Sequence, residues 1–370
     1  MKLHKLCSVL AVSIGAMLVC GSGPANAAAD EPAAITARVS VYASGLNNPR
    51  GLKFGPDGNL YVAEGGLGGK NLPPDDPACV VVPPVGPYHG SQWGSRISKI
   101  DSDGTRRTVV GQLPSSQTSA DLGSLVSGVA DVAFVGKTLY AILAGAGCSH
   151  GVRGIPNGVI RVKDGQWTMI ANLSRYQRRH PVAQPNAGDF EPDGTWYSMI
   201  ALAGDLYAVE PNHGELVKVS TDGSIHRVID ISASRGHVVP TALTYHRGNF
   251  YVGNLFVFPQ DKGAAKVWTI TPTGAMKFYR TGFNMVTGLA FDSRNRMYVL
   301  ETSAPPAPAP GTGRIVRVDP DGNGRVVIAD GLFFPTAMTM GPDGNLYVSN
   351  VGFGPPPTGM GEVLKIELPN

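Results

Sequence analysis

The feature that most constrains this 370-residue chain is a strand–turn–strand phrase that returns six times. Its fullest copies are Pro49-Arg50-Gly51-Leu52-Lys53-Phe54-Gly55-Pro56-Asp57-Gly58-Asn59-Leu60-Tyr61-Val62 and Pro335-Thr336-Ala337-Met338-Thr339-Met340-Gly341-Pro342-Asp343-Gly344-Asn345-Leu346-Tyr347-Val348. Between them stand Asp131-Val132-Ala133-Phe134 with Leu139-Tyr140, Met199-Ile200 with Leu206-Tyr207, Ala242-Leu243-Thr244-Tyr245 with Phe250-Tyr251, and Gly288-Leu289-Ala290-Phe291 with Met297-Tyr298. The marker tyrosines recur roughly every 45 to 80 residues, the period of a propeller blade with insertions. In the full copies Pro presets φ at the turn and Gly takes the positive φ.

Two more short strands follow each phrase. The third is expected at 96–101, 159–162, 216–219, 266–270, 314–318 and 363–366, and the outer one at 107–110, 167–170, 226–229, 276–279 and 325–328. No outer strand follows 363–366. Residues 38–43 precede Gly45-Leu46-Asn47-Asn48-Pro49 just as 326–329 precede Gly331-Leu332-Phe333-Phe334-Pro335. The N-terminal strand should therefore complete the last blade and leave the ring no open edge. The expected fold is all-β: one six-bladed β-propeller of four-stranded blades over residues 35–370. Composition agrees. With 48 Gly, 30 Pro, 42% hydrophobic and 16% charged residues, the chain is too apolar for disorder and too rich in turn formers for a helical bundle. A formal charge of +3, part of it from Lys2 and Lys5, leaves no electrostatic footprint for nucleic acid.

Residues 1–29 read as an export signal. Lys2 and Lys5 open it, an uncharged run from Leu6 to Val19 follows, and Ala25-Asn26-Ala27 offers a small-x-small cleavage site near Ala27 or Ala29. That run is too short to span a bilayer, and no second one follows. Cys20 follows Val19 rather than a small residue, which reads against a lipid anchor. The mature chain is expected to be exported: extracellular, periplasmic or cell-wall-associated. Its two remaining cysteines, Cys79 and Cys148, are expected to form a disulfide there, the plainer alternative being two buried thiols.

The six copies resemble the NHL and gluconolactonase/regucalcin-like (SMP-30) propeller superfamily. The long first insertion, with Gly65-Gly66-Leu67-Gly68-Gly69, Pro87-Tyr88-His89-Gly90 and Trp93-Gly94-Ser95-Arg96, resembles the ScyD/ScyE family, as do Arg175-Tyr176, Asp193-Gly194 and Pro211-Asn212-His213. That likeness covers nearly the whole mature chain. The family is named for proteins encoded with scytonemin pigment biosynthesis and has no settled activity, so the resemblance implies a fold more than a reaction. Gluconolactonase-like enzymes use a carboxylate, an Asn and an Asp at channel-facing sites. The nearest inner-strand positions here are Arg50, Ala130, Tyr197, Thr241, Thr287 and Thr336, a different set.

Every long connection falls on one face of the expected ring: 65–94, 144–157, 173–188, 302–313 and 351–361. Long loops on a rigid scaffold carry function, or else only plug the channel. Proline-rich 304–310 and 355–357 should form a stiff rim, with a proline-recognition ligand as the alternative. His89, His150, His180, His213 and His237 all lie in connections on this face. Imidazoles gathered above a channel can bind a metal or move protons, although each can equally satisfy a loop backbone group. Asp131 stands where other copies carry Gly51, Ser198, Ala242, Gly288 and Ala337, and Asp189 is its weaker companion. The catalytic candidates are Asp131, His89, His150 and His237, the histidines expected to face one cavity with Asp131 beneath. Three residues after the marker tyrosines stand Glu64, Glu210, Asn254, Glu301 and Asn350, with Leu143 the exception. They read as ties to loop amides or as oxygens for a hard cation or hydroxylated ligand. Arg50, Glu64, Asp131, His180, Asp189, Glu210, His213, Asn254, Glu301 and Asn350 form the candidate ligand-binding set. Arg175, Arg178 and Arg179 read as a solvated run rather than an anion clamp. Asp319-Pro320-Asp321-Gly322-Asn323-Gly324 mimics a calcium loop but sits at a strand turn.

The expected function is binding of a small-molecule or oligosaccharide-like ligand at the channel mouth. The alternatives are a metal-assisted hydrolase, isomerase or lyase, and a scaffold whose rim meets a protein partner. Catalysis is left open. The only cofactor expected is a divalent cation, Ca or Zn, with its ligands unassigned. No nucleic acid and no membrane span are expected.

Overall fold

In the computed structural model, which describes residues 33–369 apart from 35–36, 258–259, 307, 323 and 355–358, the repeated phrase folds as the two inner strands of a blade. The export signal and the 355–357 rim lie outside the described residues, as does residue 307 of the other proline run.

The first strands of the six blades are Pro49–Phe54, Val129–Val135, Met199–Leu202, Pro240–His246, Val286–Phe291 and Ala337–Met340. They touch their neighbours in a closed circuit, the last against the first, and so enclose a channel. Each is followed outward by antiparallel strands, as in Thr138–Leu143, Gly158–Lys163 and Gln166–Asn172 of blade 2. The sixth blade takes its outer strand from the N-terminus. Arg38–Leu46 pairs antiparallel with Gly361–Glu367, Val39 opposite Ile366 and Val41 opposite Leu364. The result is the expected six-bladed β-propeller. Among the described residues no helix is long and apolar enough to cross a membrane.

The phrase has a physical reason. In the Pro-Asp-Gly turn Gly58 takes φ 77° and donates to the Gly55 carbonyl at 3.0 Å. The marker tyrosine reaches back to the turn aspartate: Tyr61 to Asp57, Tyr298 to Asp292 and Tyr347 to Asp343, each at 3.0 Å. Its ring also meets an aromatic residue at, or one before, the end of the next blade's first strand. Tyr61 meets Phe134 at 4.9 Å, Tyr251 meets Phe291 at 4.7 Å, and Tyr347 meets Phe54 at 4.9 Å. One side chain thus braces the turn and seals the blade interface. The core consists of such interfaces. Across the closing one, Leu46 and Val363 of blade 6 pack with Leu52, Leu60, Val62 and Ile100 of blade 1.

Blade 1 departs from expectation. Its third strand is the long His89–Ile100, paired with Arg106–Gln117, and a fifth short strand, Val126–Ser127, adds to the sheet. His89 therefore begins a strand instead of sitting in a loop. The extension rises above the blade because register shifts between Ser91 and Ser95 bend it. A further strand, Ala33–Ala34, lies parallel to Arg325–Leu332 of blade 5. Between blades 2 and 3 the connection contains a short helix, Leu173–Arg179, capped by Asn172 Oδ1 accepting from the Arg175 amide at 2.8 Å. The calcium-like phrase is a turn, Gly322 donating to the Asp319 carbonyl at 2.8 Å.

Cys79 and Cys148 are bonded, with Cα atoms 5.3 Å apart. The bridge joins the insertion of blade 1 to the corresponding loop of blade 2.

Deleting residues 38–43 should leave Gly361–Glu367 as a bare edge and unlink blades 6 and 1. Aggregation by size-exclusion chromatography, or a melting temperature lowered by more than 10 °C on the order expected from losing several kcal/mol, is the outcome; an unchanged melt would refute closure. The double variant Cys79→Ser, Cys148→Ser should lose about 2–4 kcal/mol in denaturant unfolding and become cleavable by trace protease within residues 65–94. Parent-like resistance would show that the bridge does not pin the insertion.

Candidate functional site

Side chains at one register of the first strands hold the ring together around the channel. Thr241 donates to the Val286 carbonyl of the next blade, Thr287 to Pro335 and Thr336 to Pro49. At the same register Arg50 donates through Nη2 to the Val126 carbonyl. Tyr197 spans the channel instead, its hydroxyl donating to the Thr336 carbonyl of the opposite blade at 2.8 Å.

Above this register is a cavity of about 190 Å³. Its wall includes Arg50, Asp189, Glu191, Trp196, Tyr197 and Phe353. The other lining residues include Ala144, Asn212 and Leu255, which follow second strands, and Val239, which precedes a first strand. Both kinds of connection belong to the long-loop face, so the cavity is the channel mouth on that face. It is smaller than the roughly 300–1,000 Å³ of drug-sized sites.

Arg50 is the cavity's buried cation. Its guanidinium bonds the Tyr197 hydroxyl and lies 4.1 Å from the centre of the Phe353 ring. Burial lowers its pKa, and no carboxylate pairs with it among the described residues.

The acidic wall comes from the segment 189–197, which is held from four sides. Asn212 Oδ1 accepts from the Glu191 amide at 2.7 Å, and its Nδ2 donates to the Asp189 carbonyl. His213 Nε2 donates to the Glu191 carbonyl at 2.9 Å. Tyr88, from the disulfide-pinned insertion, donates to Glu191 Oε2 at 2.9 Å. His150, two residues beyond Cys148, places Nε2 3.8 Å from the same oxygen. The Gly194 carbonyl, 3.3 Å from His150 Nε2, can only accept, so Nε2 carries the proton and Nδ1 accepts from the Ser116 hydroxyl at 3.0 Å. Burial drives His150 down to about 4 and keeps it neutral. Burial and the neighbouring Asp189 push Glu191 well above the usual carboxylate range, so it holds its proton. Asp189 pairs with His237 Nε2 at 2.8 Å. Asp193, on the same segment, would also be raised by burial, but the Ser149 amide and hydroxyl hold it below its ordinary value.

The candidate residues fall into distinct places. Of the ligand-binding set, Arg50 and Asp189 line the cavity. Asp131 is buried between the first strands of blades 1, 2 and 3, accepting from the Val132 and Met199 amides at 2.8 Å each. A Cβ on Gly51 would fall 1.8 Å from Asp131 Oδ1, which is why its neighbour has no side chain. Burial raises Asp131 to about 6. The expected convergence of His89, His150 and His237 above Asp131 is not what the fold builds. None of the four lines the cavity. His89 pairs in a strand with Gln117, His150 lies under Glu191, and His237 lies behind Asp189. His180 caps the short helix, exposed and stacked on Tyr176 at 4.5 Å.

The five acceptors after the tyrosines each bind the segment entering their own blade. Glu64 accepts from the Asn47 amide at 2.6 Å, Glu210 from Thr195 at 2.7 Å and Asn350 from Phe333 at 2.9 Å. Asn254 donates to the Val238 carbonyl at 2.8 Å, and Glu301 accepts from Asn284 Nδ2 at 2.8 Å. Among the described residues no three His, Cys, Asp or Glu side chains could share a metal ion, so the expected divalent cation finds no donor set there. Of the three arginines read as solvated, Arg178 pairs with Asp193 at 2.8 Å.

Glu191, Trp196, Tyr88 and Phe353 were not among the candidates. Their signal was slight. Pro192-Asp193-Gly194 copies the repeat's turn but precedes a first strand instead of following one.

No protein-family model matches the sequence, and no curated protein matches it. Solved structures do resemble the fold. A gluconolactonase from Xanthomonas campestris is 12% identical with a TM-score of 0.54, over 92% of this chain and 95% of that one. A glucose dehydrogenase is 14% identical at 0.54, over 90% and 100%. The PQQ-bound aldose sugar dehydrogenase from Streptomyces coelicolor is 12% identical at 0.52, over 91% and 99%. At such identities the likeness is one of fold.

Two of the shifted groups, His150 and Asp131, oppose each other in acid. Neutral His150 contributes stability that is present above pH 6.5 and lost as pH falls toward about 4. Asp131 contributes stability that is present below 3.8 and lost as pH rises through about 6. Urea unfolding from pH 7.5 to 4 should show His150→Gln gaining on the parent as pH falls, on the order of 3 kcal/mol. Asp131→Asn should lose ground to the parent over the same range. Parallel curves would mean that neither group titrates as its burial requires.

Proposed function

We propose that this chain is an exported propeller of ScyD/ScyE type that binds a small ligand in the cavity at the long-loop mouth. The observation that carries this reading is the construction around segment 189–197. Tyr88 from blade 1, His150 from blade 2 and Asn212 and His213 from blade 3 all converge on it. None of these contacts belongs to the ring closure. They hold charged and polar groups against a cavity, as a site requires and a plug does not. The test is mass spectrometry of small molecules released on denaturing protein purified from its native source. A compound should come away near one per chain. Ala130→Leu, which fills the cavity from a first strand, should abolish it without altering the fold measured by circular dichroism. Equal release from that variant would sink the reading.

A gluconolactonase-like hydrolase is the second reading, favoured by one observation. Asp189, paired with His237, and proton-bearing Glu191 stand on the same wall, giving one group to accept a proton and one to donate it. Aldonolactone opening followed by pH-stat should then be accelerated, and Asp189→Asn should slow it about 100-fold or more. A parent protein no faster than buffer would leave ligand binding alone.

A further inference from the structure

We propose that the cavity takes a small organic carboxylate, seated on the Arg50 guanidinium; this rests on the reading of the cavity as a ligand site. Arg50 is 7% exposed and is bonded to two neutral acceptors, the Val126 carbonyl and the Tyr197 hydroxyl. A guanidinium has five N–H donors in a planar fork, so donors remain, and among the described residues no carboxylate pairs with its charge. Buried donors are nearly always satisfied in folded proteins, and an exception asks for the missing partner. What Arg50 lacks is a further acceptor and a negative charge. A carboxylate supplies both, since its two oxygens match the fork.

The rest of the wall limits the ligand further. Ala130, Val239, Leu255 and Phe353 are apolar parts of the lining. A short apolar body suits it better than a bare inorganic oxyanion with four oxygens to satisfy. The acids nearby do not oppose this. Asp189 is engaged by His237. Glu191 holds its proton, because burial and Asp189 both raise it, and a protonated carboxyl can donate to an incoming oxygen.

Isothermal titration at pH 7 with benzoate and its neutral isostere benzamide tests the inference. Benzoate should bind at least tenfold more tightly. Arg50→Gln should erase the preference over benzamide. Because Arg50 also ties the first strand of blade 1 to the Val126 carbonyl of that blade's fifth strand, a second measurement uses the unaltered protein: phenylglyoxal labelling, read by peptide mass spectrometry, should reach Arg50 more slowly when benzoate is present. Benzamide binding as tightly as benzoate would overturn the carboxylate while leaving the cavity a ligand site. Inorganic phosphate displacing benzoate at equal concentration would overturn it in favour of a general anion. Failure of both aromatic probes would also overturn it, and the released-compound experiment would then judge the cavity independently.

Discussion

The pairing of Arg38–Leu46 with Gly361–Glu367 is the interaction on which the rest of the molecule depends. Each blade packs its apolar faces on its two neighbours, so an open ring would expose one apolar blade face at each end. Closure buries both, packing Leu46 and Val363 against Leu52, Leu60 and Val62. It also places the working register. Thr336 donates to the Pro49 carbonyl and Ser349 to the Arg50 carbonyl at 2.6 Å each, so the backbone that aims Arg50 into the channel is held by the last blade. The ends of the chain, some three hundred residues apart, meet beside the cavity's buried cation.

On that ring stands a second layer, built from loops that cannot hold themselves. The insertions of blades 1 and 2 are rich in Gly and Pro and form few regular ladders. The Cys79–Cys148 bridge couples them, and each then contributes one buried group to Glu191, Tyr88 from the first and His150 from the second. A protonated acid, a neutral imidazole and a phenol can be buried together because none of them carries charge. At the mouth stand the Arg50 guanidinium and Asp189, the latter 2.8 Å from His237. The same segment carries Asp193, whose charge is kept by Ser149 and Arg178. A polar network this complete sets the shape of the cavity wall in the absence of a ligand, which lowers the ordering cost of binding.

The architecture was legible in the sequence because each repeat encodes a local physical job. The Asp-Gly turn, the tyrosine that reaches back to it, and the alternating apolar residues between them are short-range features that recur at one period. The missing sixth outer strand was visible as an arithmetic gap that the N-terminus could fill. Even the disulfide followed from two cysteines in neighbouring connections. The acceptors after the tyrosines were also found, and tertiary structure explains them as ties to the strands that enter each blade.

The site was another matter. Asp131 stood out because its neighbours were small, but the smallness of Gly51 makes room for a strut between three blades and does not open a cavity. The histidines share a face by sequence, yet each is turned by its own loop, whose path depends on partners far along the chain. Tyr88 and Glu191 are 103 positions apart, and Tyr197 and Thr336 are 139 apart. Repeat periodicity sets which residues lie on which strand, because strand pairing and turn chemistry are local. Which loop side chains meet over the channel was decided only when the ring closed and brought irregular segments from separate blades within hydrogen-bonding reach.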